Sequence, residues 1–257
     1  MRLLFIRHGD PDYDKDCLTF DGEQEARMLA KYLPELNPGE IYVSTFGRAR
    51  QTADYYLKQA GIEAVYCDWL QEMSQTLDVN GDPNLIAAYN DYSFNPDGSY
   101  GMRIPWDILP KEFVKYPELM DRYKWRETPF ASNGIVLEKY DERCRELDKL
   151  LAQHGYFREG DIYRTEQGNH DTITLIGHLG TTNALLSHLF NISPFVTWNT
   201  LCMHTTSITE VVSEEREKSY VSFRALKVGD ISHLSLHHRE PTCSARFCEV
   251  YEDEARH

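Results

Sequence analysis

The spacing of apolar positions changes along the first 66 residues, and the changes predict both strands and helices. Apolar stretches typical of buried strands lie at 2–7, 40–44 and 63–66. Between them, apolar residues recur every three or four positions. This spacing predicts one helix that Thr19 caps and Pro34 ends, and a second that Gly61 closes.

Regular spacing returns after residue 132. Apolar residues at three- and four-residue intervals predict a long amphipathic helix over 137–151 and another over 182–190. A β-branched stretch at 171–177 predicts a central strand, and we expect further strands at 205–212 and 220–227, joined by a charged turn. The alternation predicts an α/β three-layer sandwich, in which helices flank a mainly parallel central sheet.

Residues 78–130 follow a different pattern. They contain six prolines, and ten of the 53 residues are aromatic, against 12% in the whole chain. The segment is too aromatic for a disordered linker and too interrupted by proline for a layered core. We therefore expect an inserted helical cap at 78–130, with the α/β core formed by 1–77 and 131–257. A packed surface excursion without a role in binding is the alternative.

Side chains suited to phosphoryl transfer follow the predicted strands. Ligands of open α/β sheets bind at the carboxyl ends of the strands. The residues at these ends are Arg7, His8 and Gly9, then Ser44, Arg48 and Arg50, then Glu72, and finally His178. A neutral imidazole can attack phosphorus, arginines can hold the equatorial oxygens, and a protonated carboxyl can supply the leaving oxygen with a proton.

Each of these residues also has an ordinary structural explanation when taken alone. A histidine after a strand often caps the next helix, an arginine such as Arg48 can lie on a solvated helix face, and Glu72 can be one of many surface acids. The tripeptide RHG is short and occurs by chance. Their joint placement at successive strand ends favours the functional interpretation.

Four segments resemble the histidine phosphatase superfamily, which has the phosphoglycerate-mutase-like fold. LLFIRHGDPDY and LTFDGEQEARMLAKYL resemble the family's first strand, its RHG motif and its LT-x-x-G-x-x-QA helix. STFGRARQTA resembles its S-x-x-x-RA-x-QTA segment. WLQEM resembles the segment that carries the proton donor, and DTITLIGHLGTTNALLSHLF resembles the segment with the second histidine. The resemblance covers about 1–72 and 171–212 and leaves the expected cap unmatched.

The resemblance implies a role for each matched position. His8 would be the nucleophile that becomes phosphohistidine, with Arg7 and Arg48 clamping the phosphoryl group. His178 would donate a hydrogen bond to a phosphoryl oxygen, and Glu72 would protonate the leaving group and then activate water.

Further positions would bind substrate or phosphate less directly. Gly9 would let the backbone approach the phosphate, and Ser44 fits the second segment. Leu179 follows the second histidine where the family commonly has Gly, and Phe46-Gly47 stands where Pro-Leu is frequent. Neither departure removes a charged group, so we expect the chemistry to be kept and the substrate shape to differ.

The charges of the expected site support this chemistry. Two nearby arginines disfavour protonation of His8, so its attacking nitrogen stays neutral near pH 7, provided that an acceptor fixes the other nitrogen. The arginines and His178 supply the positive charge that a magnesium ion would otherwise bring. We therefore expect neither a metal nor a cofactor.

The sequence favours a phosphomonoester hydrolase that acts on a small phosphorylated metabolite, with two alternatives. A phosphoglycerate mutase would resemble the family's mutases through a Trp- and Asn-rich stretch after RHG, whereas this chain has DPDYDKDC. A non-catalytic phosphate-binding module could dispense with part of the site, yet every charged position is present.

Composition narrows the partners. The 41 acidic residues outnumber the 27 basic ones, so the net charge of −14 opposes binding to nucleic acid or to an anionic membrane. No apolar run approaches a membrane span, and 3–6 is too short for a signal-peptide core. With six scattered cysteines, the chain is expected in the cytoplasm. Self-association is compatible with the sequence.

Histidines and cysteines gather near the C-terminus. They are His233, His237, His238, Cys243 and Cys248. Their spacing fits no compact zinc template, so a solvated tail is favoured over a zinc site.

Overall fold

The computed structural model describes residues 1–90, 92–244, 246–253 and 255. Strands in this part of the chain are β1 (Arg2–Arg7), β2 (Pro11–Asp12), β3 (Cys17–Leu18), β4 (Glu40–Ser44), β5 (Val65–Cys67), β6 (Phe157–Glu159), β7 (Ile162–Arg164), β8 (Thr172–Gly177), β9 (Ile208–Glu217) and β10 (Tyr220–Asp230). Eight of them form one sheet in the order β5-β4-β8-β1-β9-β10-β7-β6, and β2 pairs with β3.

Helices cover both faces of the sheet. They are α1 (Phe20–Tyr32), α2 (Gly47–Ala60), α3 (Pro83–Ala87), α4 (Pro110–Phe113), α5 (Pro129–Ser132), α6 (Val136–Gln153), α7 (Leu179–Phe190), α8 (Pro194–Thr200) and α9 (Ser232–Ser235). Single 3₁₀ turns lie at Leu33–Leu36, Asp68–Leu70, Pro105–Asp107, Pro117–Met120 and Lys124–Glu127. No helix in the described part of the chain is long and apolar enough to cross a bilayer.

The predicted three-layer α/β class is confirmed, and the sheet divides into two halves. Strands β5, β4, β8 and β1 are mutually parallel, whereas β9, β10, β7 and β6 join by antiparallel pairing. The parallel register sets Arg7 opposite Gly177 and Ser44 opposite Cys67. The carboxyl ends of the four parallel strands therefore meet along one edge.

Alternation along β1 explains the layers. Leu3 and Phe5 belong to the apolar cluster that α6 and α7 cover, whereas Leu4 and Ile6 pack against α1 and α2. The predicted helix ends also hold. The Thr19 hydroxyl accepts a 3.0 Å hydrogen bond from the Gly22 N–H, and Gly61 ends α2 with a φ of 66°.

Some predicted boundaries were wrong. The charged stretch expected as a turn is mostly strand, because β9 continues to Glu217, and only Lys218 and Ser219 connect it to β10. The third strand begins at Val65 rather than Glu63. The hairpin of β6 and β7 was not predicted, since three-residue strands are too short to show a period.

Residues 78–130 are built from short helices and turns that share one apolar cluster with the core. Tyr89, Trp125 and Phe130 pack there with Tyr140 of α6 and Phe195 of α8. The segment is therefore packed against α6, α7 and α8. The division into core and cap stays a prediction.

Candidate active site

Two buried imidazoles meet where β1 and β8 end. His8 follows β1 and is 2% exposed, and His178 follows β8 and is fully buried. Their ring centroids are 5.0 Å apart, with a 57° angle between the planes. The parallel register of the two strands brings together residues that are 170 positions apart in sequence.

One nitrogen of His8 is fixed by the backbone. The Nδ1 atom lies 2.7 Å from the Gly9 carbonyl oxygen, to which it donates as an N–H. This tautomer leaves the Nε2 lone pair available for attack. Burial, followed by the charges of Arg7 and Arg48, holds the pKa of His8 well below 6.5. The imidazole is therefore neutral at physiological pH.

His178 is held by Ser44 at the end of β4. The His178 Nε2 atom lies 2.8 Å from the Ser44 Oγ, which also accepts a 3.3 Å hydrogen bond from the Phe46 N–H. The His178 Nδ1 atom is buried and has no hydrogen-bond partner within the described chain. Burial, then the charges of His8 and the arginines, keeps the pKa of His178 well below 6.5.

Arg7 is anchored by two carbonyl groups. Its Nη1 donates to the Met203 oxygen at 2.8 Å and to the Ser244 oxygen at 3.1 Å. The side chain is buried, but its Nε has no acceptor among the residues placed by the structure. A guanidinium fixed at one end is thus left with an unused donor.

Arg48, in the first turn of α2, is held in a comparable way. Its Nη1 donates to Asp16 Oδ1 at 2.6 Å, and its Cζ lies 4.9 Å from the centre of the Phe46 ring. The Arg48 Nε is also buried without an acceptor in the described ranges. Leaving buried polar groups unsatisfied is costly, so an anion that accepts from Arg7, Arg48 and His178 would be stabilised here.

Glu72 lies at the N-terminus of α7. Its Oε2 accepts from the Gly180 N–H at 3.0 Å, and its Oε1 accepts from the N–H groups of Thr181 and Met73 at 2.9 and 3.0 Å. The positive end of the helix therefore binds the carboxylate. The buried Arg143 secures the adjoining backbone by donating to the Gln71 oxygen at 2.9 Å.

The remaining predicted residues differ in their surroundings. The Gly9 N–H donates to Thr52 Oγ1 at 2.9 Å, and a Cβ on Gly9 would lie 2.7 Å from the Gly22 oxygen, so Gly9 allows α1 to approach. Leu179 packs partly buried against the apolar cluster beneath α7. Arg50 is exposed, with its Cζ 5.2 Å from the centre of the Tyr66 ring. Phosphate binding by Gly9, Ser44 and Leu179 stays a prediction.

A strained loop before β9 supports the first histidine and was missed in the sequence. Thr206 has a φ of 55°, unusual for a β-branched residue, and its N–H donates to the His8 carbonyl at 3.1 Å. Only the structure shows this contact, because nothing local in the sequence marks it.

Glu25, in α1, ties the same loop to the C-terminal segment. This fully buried carboxylate accepts from the Asp10 N–H at 3.1 Å, the Thr205 hydroxyl at 3.0 Å and the Thr242 N–H at 3.2 Å. Burial raises its pKa. A signal existed, because Glu25 occupies the Gln position of the LT-x-x-G-x-x-QA motif.

The C-terminal histidines and cysteines do not assemble. Within the part of the chain that is described, no three His, Cys, Asp or Glu side chains form a group suited to a metal ion. His233 is buried with its Nε2 2.9 Å from Thr206 Oγ1, and Cys243 and Cys248 are exposed.

The N-terminal third of the chain matches a known family. Residues 3–82 match the model of the histidine phosphatase superfamily (branch 1). This range contains Arg7, His8, Arg48 and Glu72. A search of curated proteins gives no significant match.

Solved phosphatases share the fold along almost their whole length. A phosphoserine phosphatase variant from Entamoeba histolytica in complex with phosphoserine has a TM-score of 0.57 and 17% identity, covering 91% of this chain and 98% of that chain. A mycobacterial glucosyl-3-phosphoglycerate phosphatase with VO3 has a TM-score of 0.54 and 18% identity, covering 88% and 97%. Together with the family match, this shared fold confirms the resemblance that the motifs indicated.

Proposed function

We propose that this chain, which has the fold and the N-terminal sequence signature of the histidine phosphatase superfamily, hydrolyses phosphomonoesters through a phosphohistidine. One observation carries the proposal: His8 and His178 are buried side by side, next to two buried arginines whose Nε atoms have no acceptor in the described structure. A phosphoryl group supplies the missing acceptors, and its phosphorus then lies before a neutral imidazole.

The first chemical step follows from these positions. The Nε2 lone pair of His8 attacks phosphorus, the bond to the ester oxygen breaks, and the leaving oxygen takes a proton. Arg7, Arg48 and His178 stabilise the charge on the transferring oxygens. Among the residues that the structure describes, Glu72 Oε2 accepts one hydrogen bond, from Gly180, so its other lone-pair position can carry the proton that is transferred.

The second step releases phosphate. Glu72, now a carboxylate, takes a proton from water, and the water oxygen attacks the phosphohistidine. The N–P bond breaks, orthophosphate forms and His8 is neutral again. No step requires a metal ion, because Arg7 and Arg48 carry the positive charge and the neutral His178 ring donates a hydrogen bond from its Nδ1, which is unused within the described residues.

The proposal extends to substrate and location. A small phosphorylated metabolite is the substrate class that the fold's solved phosphatases support, since those structures are of enzymes named for phosphoserine and glucosyl-3-phosphoglycerate. Six cysteines without a disulfide between them in the described structure, together with the net charge of −14, support a cytoplasmic enzyme without nucleic-acid or membrane partners.

His8→Ala tests the proposal, with His170→Ala as control because His170 is exposed and precedes β8, whose opposite end carries the site. We expect release of phosphate from p-nitrophenyl phosphate by the wild type and the control, and loss of nearly all turnover in His8→Ala. A quench with ³²P-labelled substrate should trap protein-bound label that is stable to base and labile to acid.

Three results would contradict the proposal in different ways. Substantial turnover in His8→Ala, together with no trapped label in the wild type, excludes His8 as the nucleophile. Isomerised product from 3-phosphoglycerate without net hydrolysis identifies a mutase. Binding of orthophosphate without turnover of any phosphomonoester identifies a phosphate-binding module.

A further inference from the structure

The loop between β2 and β3 places an aspartate on the expected phosphate clamp. Asp16 Oδ1 accepts from Arg48 Nη1 at 2.6 Å, and Asp16 Oδ2 accepts from the Gly47 N–H at the start of α2, also at 2.6 Å. One carboxylate therefore binds both the helix N-terminus and the arginine. The Asp16 side chain is 42% exposed, whereas that of Arg48 is 9% exposed.

Two unusual positions make this contact possible. A Cβ on Gly47 would lie 2.1 Å from the Asp16 carbonyl oxygen, so a larger residue at position 47 would push the loop away. Asp16 has a φ of 48°, a left-handed conformation that Asp tolerates better than most residues. Gly47 in the second motif and the acidic loop after RHG are thus parts of one arrangement.

The arrangement fixes the orientation of Arg48. The Arg48 Cζ lies 5.3 Å from the centre of the Tyr13 ring and 4.9 Å from the centre of the Phe46 ring. Asp16 binds one terminal nitrogen of the same guanidinium. The buried Nε is left without an acceptor in the described chain. The guanidinium is therefore held on its solvent side and keeps a donor for the phosphoryl group.

We propose that Asp16 is a positioning and specificity-determining residue, which orients Arg48 and selects phosphomonoesters whose alcohol part carries no second anion. This inference rests on the proposed function. A fixed, partly exposed carboxylate beside Arg48 repels a substrate carboxylate and competes with it for the guanidinium. A neutral or cationic alcohol part meets no such penalty.

The discriminating experiment uses two substrates of nearly equal shape. Glycerol 3-phosphate has a hydroxymethyl group where 3-phosphoglycerate has a carboxylate. The ratio of their kcat/KM values therefore reports the penalty for the second anion. The ratio is measured for the wild type, for Asp16→Asn, and for Asp14→Asn. The last variant removes a charge from an exposed position of the same loop.

We expect the wild type to prefer glycerol 3-phosphate and Asp16→Asn to reduce that preference about tenfold, the size of one screened charge–charge contact. The change should appear mainly as a lower KM for 3-phosphoglycerate. Asp14→Asn should leave the ratio near the wild-type value. Loss of the Arg48 anchor should also lower kcat/KM for p-nitrophenyl phosphate in Asp16→Asn alone.

Other outcomes would overturn the inference. An equal change for both substrates in Asp16→Asn means that Asp16 does not discriminate, and higher turnover of both means that Asp16 competes with phosphate. A wild-type preference for 3-phosphoglycerate also refutes it. These results all require hydrolysis of p-nitrophenyl phosphate by the wild type, and its absence refutes the proposed function instead.

Discussion

The N–H of Thr181 donates a 2.9 Å hydrogen bond to Oε1 of Glu72, so the expected proton donor also caps the helix that follows His178. The Glu72 side chain thus has a structural role and a proposed chemical role. Oε1 mainly binds the backbone, and Oε2 is the oxygen proposed to carry the proton. Within the described residues, Oε1 accepts from two backbone N–H groups, whereas Oε2 accepts only from the Gly180 N–H. Replacing Glu72 therefore changes stability as well as chemistry.

Glu72→Gln should slow hydrolysis of alkyl phosphates far more than that of p-nitrophenyl phosphate. A poor leaving group needs the proton, whereas nitrophenolate leaves without it. The measurement is kcat/KM for both substrates, with burst kinetics to identify the limiting step. The altered cap should also lower the unfolding free energy by about 0.5–2 kcal/mol. This loss is the same whichever substrate is used, so it does not change the ratio of the two kcat/KM values.

Equal slowing of both substrates without a burst would exclude Glu72 as the proton donor. Asp78 and Asp82, at the start of the 78–130 segment, would then be the next carboxylates to replace. If a burst appears, water attack on the phosphohistidine limits kcat for both substrates. The pre-steady-state rates of phosphoryl transfer to His8 must then be compared instead.

Arg7→Lys and Arg48→Lys should each lower kcat/KM on the order of 10²-fold for every phosphomonoester. Lysine keeps the charge but has no Nε–H at the position where each arginine has an unused donor within the described structure. Alkyl and aryl substrates should suffer alike, unlike in Glu72→Gln. Arg50→Lys is the control, because Arg50 is exposed on the same helix as Arg48. Activity near that of the wild type in both clamp variants would contradict the clamp.

His8 and His178, the buried histidines of the candidate site, should make folding stability depend on pH. Their pKa values lie well below 6.5 in the folded protein, so below pH 6.5 the unfolded chain binds protons there that the folded chain does not. Their stabilising contribution is present above pH 6.5. It falls with decreasing pH by up to about 1.4 kcal/mol per pH unit for each histidine.

Urea unfolding at pH 7.5, 6.5 and 5.5 measures this dependence. His8→Asn should flatten it relative to the wild type, and His170→Asn controls for replacing an exposed histidine. The difference between variants is the relevant quantity, because Glu25, whose pKa is raised, contributes with the opposite sign. An unchanged slope in His8→Asn would contradict the depressed pKa.

Trp106 and Gly180 should be energetically coupled. A Cβ on Gly180 would lie 2.0 Å from Cη2 of Trp106, so the indole lies directly on the backbone beside Glu72. Gly180→Ala should cost about 1–3 kcal/mol in the wild type through overpacking. It should cost much less in a Trp106→Ala background, and a double-mutant cycle of unfolding free energies measures the coupling. Additive costs would mean that the ring is readily displaced.

The strand ends that carry the site were predictable, because each strand is apolar and each is followed by a charged or imidazole side chain. The family motifs supported this prediction, because they occur in the same order along the chain as His8, Arg48, Glu72 and His178. The contacts that orient them were not predictable, since they join distant segments. Asp16 meets Arg48 across 32 positions, and Thr206 meets the His8 carbonyl across 198.

The spacing of apolar residues also failed to predict elements that are very short or that have no regular repeat. The hairpin of β6 and β7 has too few residues for alternation to show. The segment 78–130 was distinguished from the rest of the chain by composition alone, and its assignment as a cap stays a prediction. Its packing against α6 and α8 depends on side-chain shape rather than on a repeat. Glu25 stands at the Gln position of a family motif, but its partners Asp10, Thr205 and Thr242 come from separate segments, and only the structure brings them together.

The position of β8 between β4 and β1 has a consequence for how the chain folds during synthesis. β1 and β4 are made early, yet neither pairs with the other. β4 pairs with the nearby β5, but it is joined to β1 only through β8, which begins at Thr172. Residues 45–171, about half of the whole chain and including the aromatic segment, emerge from the ribosome before β8 can complete the parallel half of the sheet. Such non-local pairing slows folding and leaves apolar strand edges open to aggregation. A fragment ending before Thr172 should therefore collect in inclusion bodies or require a chaperone.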